Sequence, residues 1–366
     1  MSATGKLSET HPVLVVGAGP AGLTAALELA RRDHPVRIIE TRTERSTYSR
    51  ALSINTRSME LMEACGATAR WLEQGIKITG VQYRDSTGSL FRIDYTALKH
   101  RYNFMLVLPQ VETEAVIEET LNALGVTVER GTTLTGFEQT QKGVHAKVMT
   151  GEKADTIAAG YLIGADGANS AVRETAGIPF PGVQLPRDWS LADVRMQSPW
   201  DPSVTNIALG KTGMLFMLGY KEGVYRLGAD SPSVLDTLPE DFKIDEVLWQ
   251  SRFSVNHRQV ARYQAGRVLL VGDAAHVHAP LGARGMNISI EDAVVLVRYL
   301  LAGKIDRYSP ERLEIGARAL RMIKAQTYIS TSTGRSANLL RRQILPATLQ
   351  LKPVMRKLAG AMLGVG

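Results

Sequence analysis

Three stretches of this chain bring together residue types that can do chemistry around a nucleotide. The first is Gly17-Ala18-Gly19-Pro20-Ala21-Gly22, set between an apolar run, Val13 to Val16, and a helix-like segment, Leu23 to Ala30. In such a G-x-G-x-x-G turn Gly17 permits the tight bend, Gly19 lets the backbone approach a pyrophosphate, and Gly22 allows close helix–strand packing, with Ala21 between them. Glu40 ends the next apolar run, Val36 to Glu40. Its spacing from Gly22 suits an acid that binds a ribose 2′-hydroxyl; the other reading is a surface carboxylate. The second stretch is Tyr161 to Gly164, a buried strand, followed by Asp166-Gly167. Asp166 is either a cofactor residue or a turn former and helix cap. The third, Gly266 to Ala293, places Gly272 and Asp273 at the end of an apolar strand, Val268 to Val271. A turn-rich loop from His276 to Gly285 follows, and then a helix opening near Met286. That layout aims a glycine-lined helix N-terminus, which favours negative charge, at the crevice beside a carboxylate.

The elements needed to hold these stretches are legible in outline. After Glu40 comes a polar loop and a helix from about Asn55, with Met59, Leu61 and Met62 towards the core. Val81 to Tyr95 reads as a hairpin turning at Ser86-Thr87-Gly88, and Gln110 lies where a helix from Val111 to Leu124 begins. Val126 to Arg130, Thr133 to Gln139 and Val144 to Met149 are strands of a small sheet. From Trp189 to Phe253 the character changes to short strands: Leu191 to Met196, Asn206 to Leu209, Met214 to Tyr220 and Val224 to Gly228. Helices complete the chain, Ser309 to about Ser332 and Leu339 to Leu363, the latter interrupted at Pro346 and, as a second position, Pro353.

Together the three stretches resemble the fingerprints of the para-hydroxybenzoate hydroxylase family, the single-component FAD-dependent aromatic monooxygenases. The resemblance spans essentially the whole chain. It implies an α/β fold: an FAD-binding Rossmann-like domain (1–76, 101–180 and 254–303) with an inserted, mostly antiparallel substrate-binding sheet (77–100 and 181–253) and a C-terminal helical segment (304–366). It also implies site residues. The counterpart of Asp273 holds the ribityl chain, and those of Pro280 to Asn287 (Pro280, Gly282, Gly285, Met286 and Asn287 among them) line the isoalloxazine. Pro280 and Gly285 are the positions expected to place the flavin for catalysis. The counterparts of Arg50 and Gln110 reach the cofactor, with Arg42 and Arg45 as neighbouring alternatives to Arg50, and Asp166-Gly167 serves both FAD and the pyridine nucleotide. The aromatic substrate belongs on the inserted sheet, where Phe216, Leu218 and Tyr220 share one strand face and hint at a hydrophobic rather than carboxylate-bearing molecule. His278 faces the flavin pocket or bonds within its loop. Two departures stand out: Ala279 where a second proline is frequent, and Gly282-Ala283-Arg284-Gly285 in place of the more usual G-G-Q-G.

The reaction implied is hydride transfer from NADH or NADPH to noncovalent FAD, capture of O2 as a flavin C4a-hydroperoxide, and transfer of one oxygen atom to a phenolic or other aromatic ring. Epoxidation, dehydrogenation or reduction on the same fold is the alternative, and a non-catalytic FAD-binding protein the remote one. A flavin-dependent halogenase is disfavoured because no W-x-W-x-I-P segment is present.

Composition narrows the setting. The 366 residues are 44% hydrophobic and 22% charged, ordinary for a globular protein. The net charge of +7 is concentrated from Lys304 onward, where 12 Lys and Arg face 3 Asp and Glu. No nucleic-acid module accompanies that charge, so a solvated helix face is the reading and nucleic acid is not an expected partner. No apolar run reaches the length that spans a bilayer, the first residues lack a signal peptide's apolar centre, and Cys65 is the single cysteine, so a cytoplasmic enzyme is expected. A homodimer is allowed by the sequence. His276 and His278 have no accompanying ligand cluster, and Ser53 and Ser170 sit in no nucleophile elbow, so neither a metal centre nor a serine hydrolase is expected.

Overall fold

The computed structural model describes residues 11–49, 51–210, 213–278, 284–331 and 334–365. Its first sheet is built from the apolar runs read above. In order across the sheet stand Gln264–Ala265, Val268–Leu270, Tyr161–Gly164, Val13–Val16, Val36–Glu40 and Val128–Arg130; all pairings are parallel except that of Gln264–Ala265. The central strands Val13–Val16 and Tyr161–Gly164 are buried on both faces, at every position, with no polar residue in alternation. The Pro20–Ala30 helix packs against one face, between the Gln110–Ala123 and Gly285–Leu301 helices. All three glycine or aspartate stretches thereby open at the C-terminal edge of one parallel sheet, where crevices in such folds take ligands.

A second sheet of eight strands lies beside it, in the order His276–Val277, Lys243–Gln259, Gly182–Gln197, Val224–Ala229, Met214–Lys221, Thr205–Leu209, Gly80–Asp85 and Gly88–Asp94. Only the Thr205–Leu209/Gly80–Asp85 pair is parallel. Apolar residues fill both its faces. Val81, Tyr83, Ile207 and Leu218 pack with Ala359, Met362 and Leu363 of the C-terminal helices, while Val194, Leu215, Met217 and Leu227 form a separate cluster. Two-sided burial explains why Met214–Lys221 is so uniformly apolar.

Of the strands that went unread in the sequence, two are long. Lys153–Ala159 completes a three-stranded antiparallel sheet with Thr132–Gln139 and Val144–Thr150. Lys243–Gln259 is the partner of nearly the whole of Gly182–Gln197, which itself extends well before Leu191. Both unread strands are largely solvent-exposed, so neither carries the apolar alternation by which strands are recognised.

The expected break at Pro346 is corrected. Helical structure continues from Arg335 to Leu349 because a wide π turn, Leu340–Ile344, precedes the proline. A wide turn relieves the clash between the proline ring and the carbonyl four residues earlier. The break falls before Lys352–Leu363, which has Pro353 in its first turn.

Candidate active site

A cavity of about 790 Å³ runs along the junction of the two sheets. At one end the strand Val13–Val16 stops at Gly17, whose φ of +102° is a left-handed conformation suited to glycine. A Cβ there would lie 2.4 Å from the Ala165 carbonyl oxygen, and one on Gly22 would lie 1.9 Å from that of Gly17. Protein packing alone dictates these two glycines. Gly19 differs: a Cβ on it would meet no atom within 4 Å, and it would stand where the cavity begins. Gly167 and Gly285 also line the cavity; among the described residues a Cβ on Gly285 would meet only His278, at 3.7 Å.

Carboxylates come next along the wall. Glu40 is 8% exposed and is not a surface residue. Its carboxylate accepts from the Ala18 backbone N–H at 2.8 Å, the Arg42 N–H at 3.0 Å and Arg42 Nε at 3.1 Å. Burial works to raise its pKa, but these hydrogen bonds outweigh burial and hold it below the ordinary value. Asp166 lines the cavity and also accepts from Val172 N–H at 3.0 Å, at the start of the Ala171–Thr175 helix whose N-cap is Ser170. Burial pushes its pKa up against those bonds. Gln110 accepts from Ala51 N–H at 3.2 Å and donates to Glu114 at 2.8 Å, with both side chains on the cavity. Burial raises the pKa of Glu114, a residue the sequence had not marked. Arg45 is turned away onto Glu118 at 2.8 Å.

Asp273 projects into the cavity from the short turn Gly272–Ala274. Gly272 itself has φ +62° and touches Ala21, so it holds the loop against the first helix. Beneath it Asp292, fully buried, accepts from Gly272 N–H at 3.2 Å, His276 Nε2 at 2.7 Å and Arg312 Nε at 2.6 Å. His276 therefore has a structural bonding role. Asp292 and Arg312 were missed: the aspartate sits inside a helix among apolar residues, and nothing near Arg312 separates it from the other basic residues of its segment. His278 stacks on His276 with ring centroids 5.8 Å apart and lines the cavity.

The far end is apolar. Phe216 and Leu218 line it, joined by Val81, Tyr83, Tyr95, Met105, Leu191, Ile207 and Met362. Phe216 lies over Gly228, where a Cβ would come within 2.1 Å of its ring. Arg226 also reaches the wall, held by Asp193 at 2.6 and 2.7 Å and donating to the Ser49 carbonyl at 2.7 Å.

Two expected site residues take other positions. Tyr220 lies outside the cavity lining, because its hydroxyl is drawn to Asp193; burial, then that carboxylate, pushes its pKa up to about 12. Asn287 is 3% exposed and bonds the main chain of Ser53 and Asn55 at 2.8 Å each, so its side chain stitches a helix to a strand. Gly17, Gly19, Ala21, Arg42, Asp273, Gly285 and Met286 do meet in the one cavity. Arg50, Pro280 and Gly282 lie outside the described residues.

A family model described as an FAD binding domain matches residues 10–223 and 232–322. The chain belongs to the FAD-binding flavoprotein aromatic monooxygenase family. It is 34% identical over 322 residues to a rifampicin monooxygenase of Streptomyces venezuelae, covering 82% of this chain and 66% of that protein. It is 31% identical to pentachlorophenol 4-monooxygenase of Sphingobium chlorophenolicum over 88% of this chain and 65% of that one. The solved anhydrotetracycline hydroxylase of Streptomyces rimosus superposes with a TM-score of 0.82 at 30% identity, covering 97% and 76%. The chain spans about two thirds of the length of these two curated relatives. FAD is the cofactor of the family, and the cavity fits it: the open space before Gly19 is what a pyrophosphate needs, and the helix that starts at Gly285 on the cavity wall has no side-chain cap among the described residues. Among the described residues no helix is long and apolar enough to cross a membrane, and no cluster of His, Cys, Asp or Glu could hold a metal ion.

Proposed function

We propose that this chain is an NAD(P)H-dependent monooxygenase that hydroxylates a hydrophobic aromatic, typically phenolic, small molecule. The observation that carries the reading is the continuity of one cavity, from the glycine turn at Gly17 through Glu40, Asp166 and Asp273 to the apolar sheet face at Phe216 and Leu218. When bound, FAD supplies hydride acceptance from NAD(P)H and activation of O2. The protein's part is to bind, orient and keep dry. Glu40, already fixed by Ala18 and Arg42, would receive the adenosine ribose, and Gly19 the pyrophosphate. Asp273 would hold the ribityl hydroxyls. Gly285 and Met286 begin a helix with no side-chain cap, so their N–H groups can stabilise negative charge on the pyrimidine edge. Leu191, Ile207, Leu218 and Met362 would exclude water from the reacting ring. The curated relatives named above act on rifampicin and pentachlorophenol, which supports an aromatic substrate in this pocket as well.

The test is reconstitution with FAD followed by NADH and NADPH oxidation against a panel of phenols and polycyclic aromatics. Substrate-stimulated oxidation with a hydroxylated product is expected. Oxidation that no aromatic stimulates, with no product, would remove the reading.

A further inference from the structure

Three arginines line the cavity: Arg42, Arg226 and Arg284. Arg42 is paired with Glu40 and Arg226 with Asp193. Arg284 is different. Its Nη2 donates to the Ala361 carbonyl and to Met322 Sδ, both uncharged. Among the described residues it makes no ion pair, and the carboxylate whose charge it feels, Glu291, is already shared by Arg57 at 3.8 Å and Arg312 at 3.6 Å. Its position is at the apolar end, since Ala361 precedes the wall residue Met362 and the wall residue Tyr95 senses its charge. A cation in such surroundings is costly unless something compensates it. Burial lowers its pKa accordingly.

We propose that Arg284 is the recognition cation for the substrate: the pocket takes a hydrophobic aromatic bearing one acidic group, a carboxylate or an ionised phenol, and Arg284 meets that negative charge. The inference rests on the aromatic-pocket reading above and names the substrate class within it. Of the three cavity arginines, Arg42 and Arg226 are already neutralised by Glu40 and Asp193, so the anionic group is placed at Arg284, beside the helix start at Gly285. The hydrophobic body then lies over the sheet.

The experiment is equilibrium binding to the FAD-loaded protein, followed by calorimetry, using two anion–neutral pairs: the isosteric 2-naphthoate and 2-naphthamide, and 4-nitrophenolate against 4-nitroanisole, which is larger by one methyl group. The wild type should prefer the anion of at least one pair by about tenfold or more. The pair showing the preference distinguishes carboxylate from phenolate. Arg284→Met should abolish the preference while leaving the neutral ligand within about twofold, and Arg284→Lys should restore part of it. A wild type that favours neither anion overturns the proposal. So does Arg284→Met weakening anion and neutral ligand alike, which would make Arg284 a tether for the C-terminal helix, or lowering FAD retention with the preference intact, which would assign it to the cofactor. Because binding is read without turnover, failure here leaves the monooxygenase reading to its own test.

Discussion

Gly19 and Gly22 are close in sequence, yet a methyl group on each would meet opposite surroundings. On Gly22 it strikes the Gly17 carbonyl; on Gly19 it enters the cavity and touches nothing. Gly19 also has φ −80°, which any residue adopts. Gly19→Ala should therefore leave the melting of the FAD-free protein within about 0.5 kcal/mol of wild type and raise the FAD dissociation constant by about tenfold or more. Gly22→Ala should cost the FAD-free fold more than about 2 kcal/mol. Equal losses of stability in the two variants would mean that Gly19 serves packing. Glu114 gives a second residue-scale prediction. Burial raises its folded pKa, so the folded state holds that proton more tightly than the unfolded chain, and stability contributed by protonation is lost as pH rises from the ordinary carboxylate range through the raised value. Glu114→Gln keeps an acceptor for Gln110 and removes the ionisation. It should be neutral to stabilising by up to about 1 kcal/mol at neutral pH and flatten that part of the profile, as read by denaturant unfolding at several pH values.

At the scale of elements, Asp292 joins the Gly272–Ala274 turn, the His276–Val277 strand and the Tyr308–Thr331 helix from inside the Gly285–Leu301 helix. Burial would raise its pKa, but Arg312, His276 and the Gly272 N–H bring it below the ordinary carboxylate value. The stability it contributes is thus present above that ordinary value and lost as pH falls through the depressed one. Arg312→Met would leave the buried carboxylate to His276 and the Gly272 N–H, and should cost about 3–5 kcal/mol in denaturant unfolding at neutral pH. A loss below about 1 kcal/mol would show that solvent reaches Asp292. This bolt was invisible in the sequence because its members are 20 residues apart on two helices and neither position breaks a pattern. What was legible follows from short range. Val13–Val16, Val36–Glu40 and Tyr161–Gly164 are apolar runs closed by glycine or acid, and each forms where it was expected. Lys243–Gln259 had no such signature, since its partners rather than its own residues define it. The cofactor end of the cavity was similarly readable because each motif carries its own turn chemistry. Of the apolar end only Phe216 and Leu218 were, as Val81, Tyr83, Tyr95 and Met362 reach it only through sheet pairing and the docking of the last helix.

For the whole molecule, the two sheets and the C-terminal helices divide the labour. The parallel sheet presents polar turns along its C-terminal edge, the antiparallel sheet presents an apolar face, and Lys352–Leu363 seals that face with Ala359, Met362 and Leu363. The seal bears on coupling between reduction and oxygen transfer, because water in the pocket diverts reducing equivalents to hydrogen peroxide. Met362→Ala removes wall from the cavity and should raise the share of NAD(P)H oxidised to peroxide several-fold, measured with and without catalase. It should cost about 2–4 kcal/mol of stability. An unchanged peroxide yield would mean that the helix closes nothing that matters to the reaction. The central claim, that one cavity joins cofactor and aromatic ring so that oxygen passes directly between them, meets its most direct test in isotope labelling. Turnover in labelled O2 should place one labelled atom in the aromatic product, and turnover in labelled water should place none. An oxygen atom derived from water, or full turnover without O2, would contradict it.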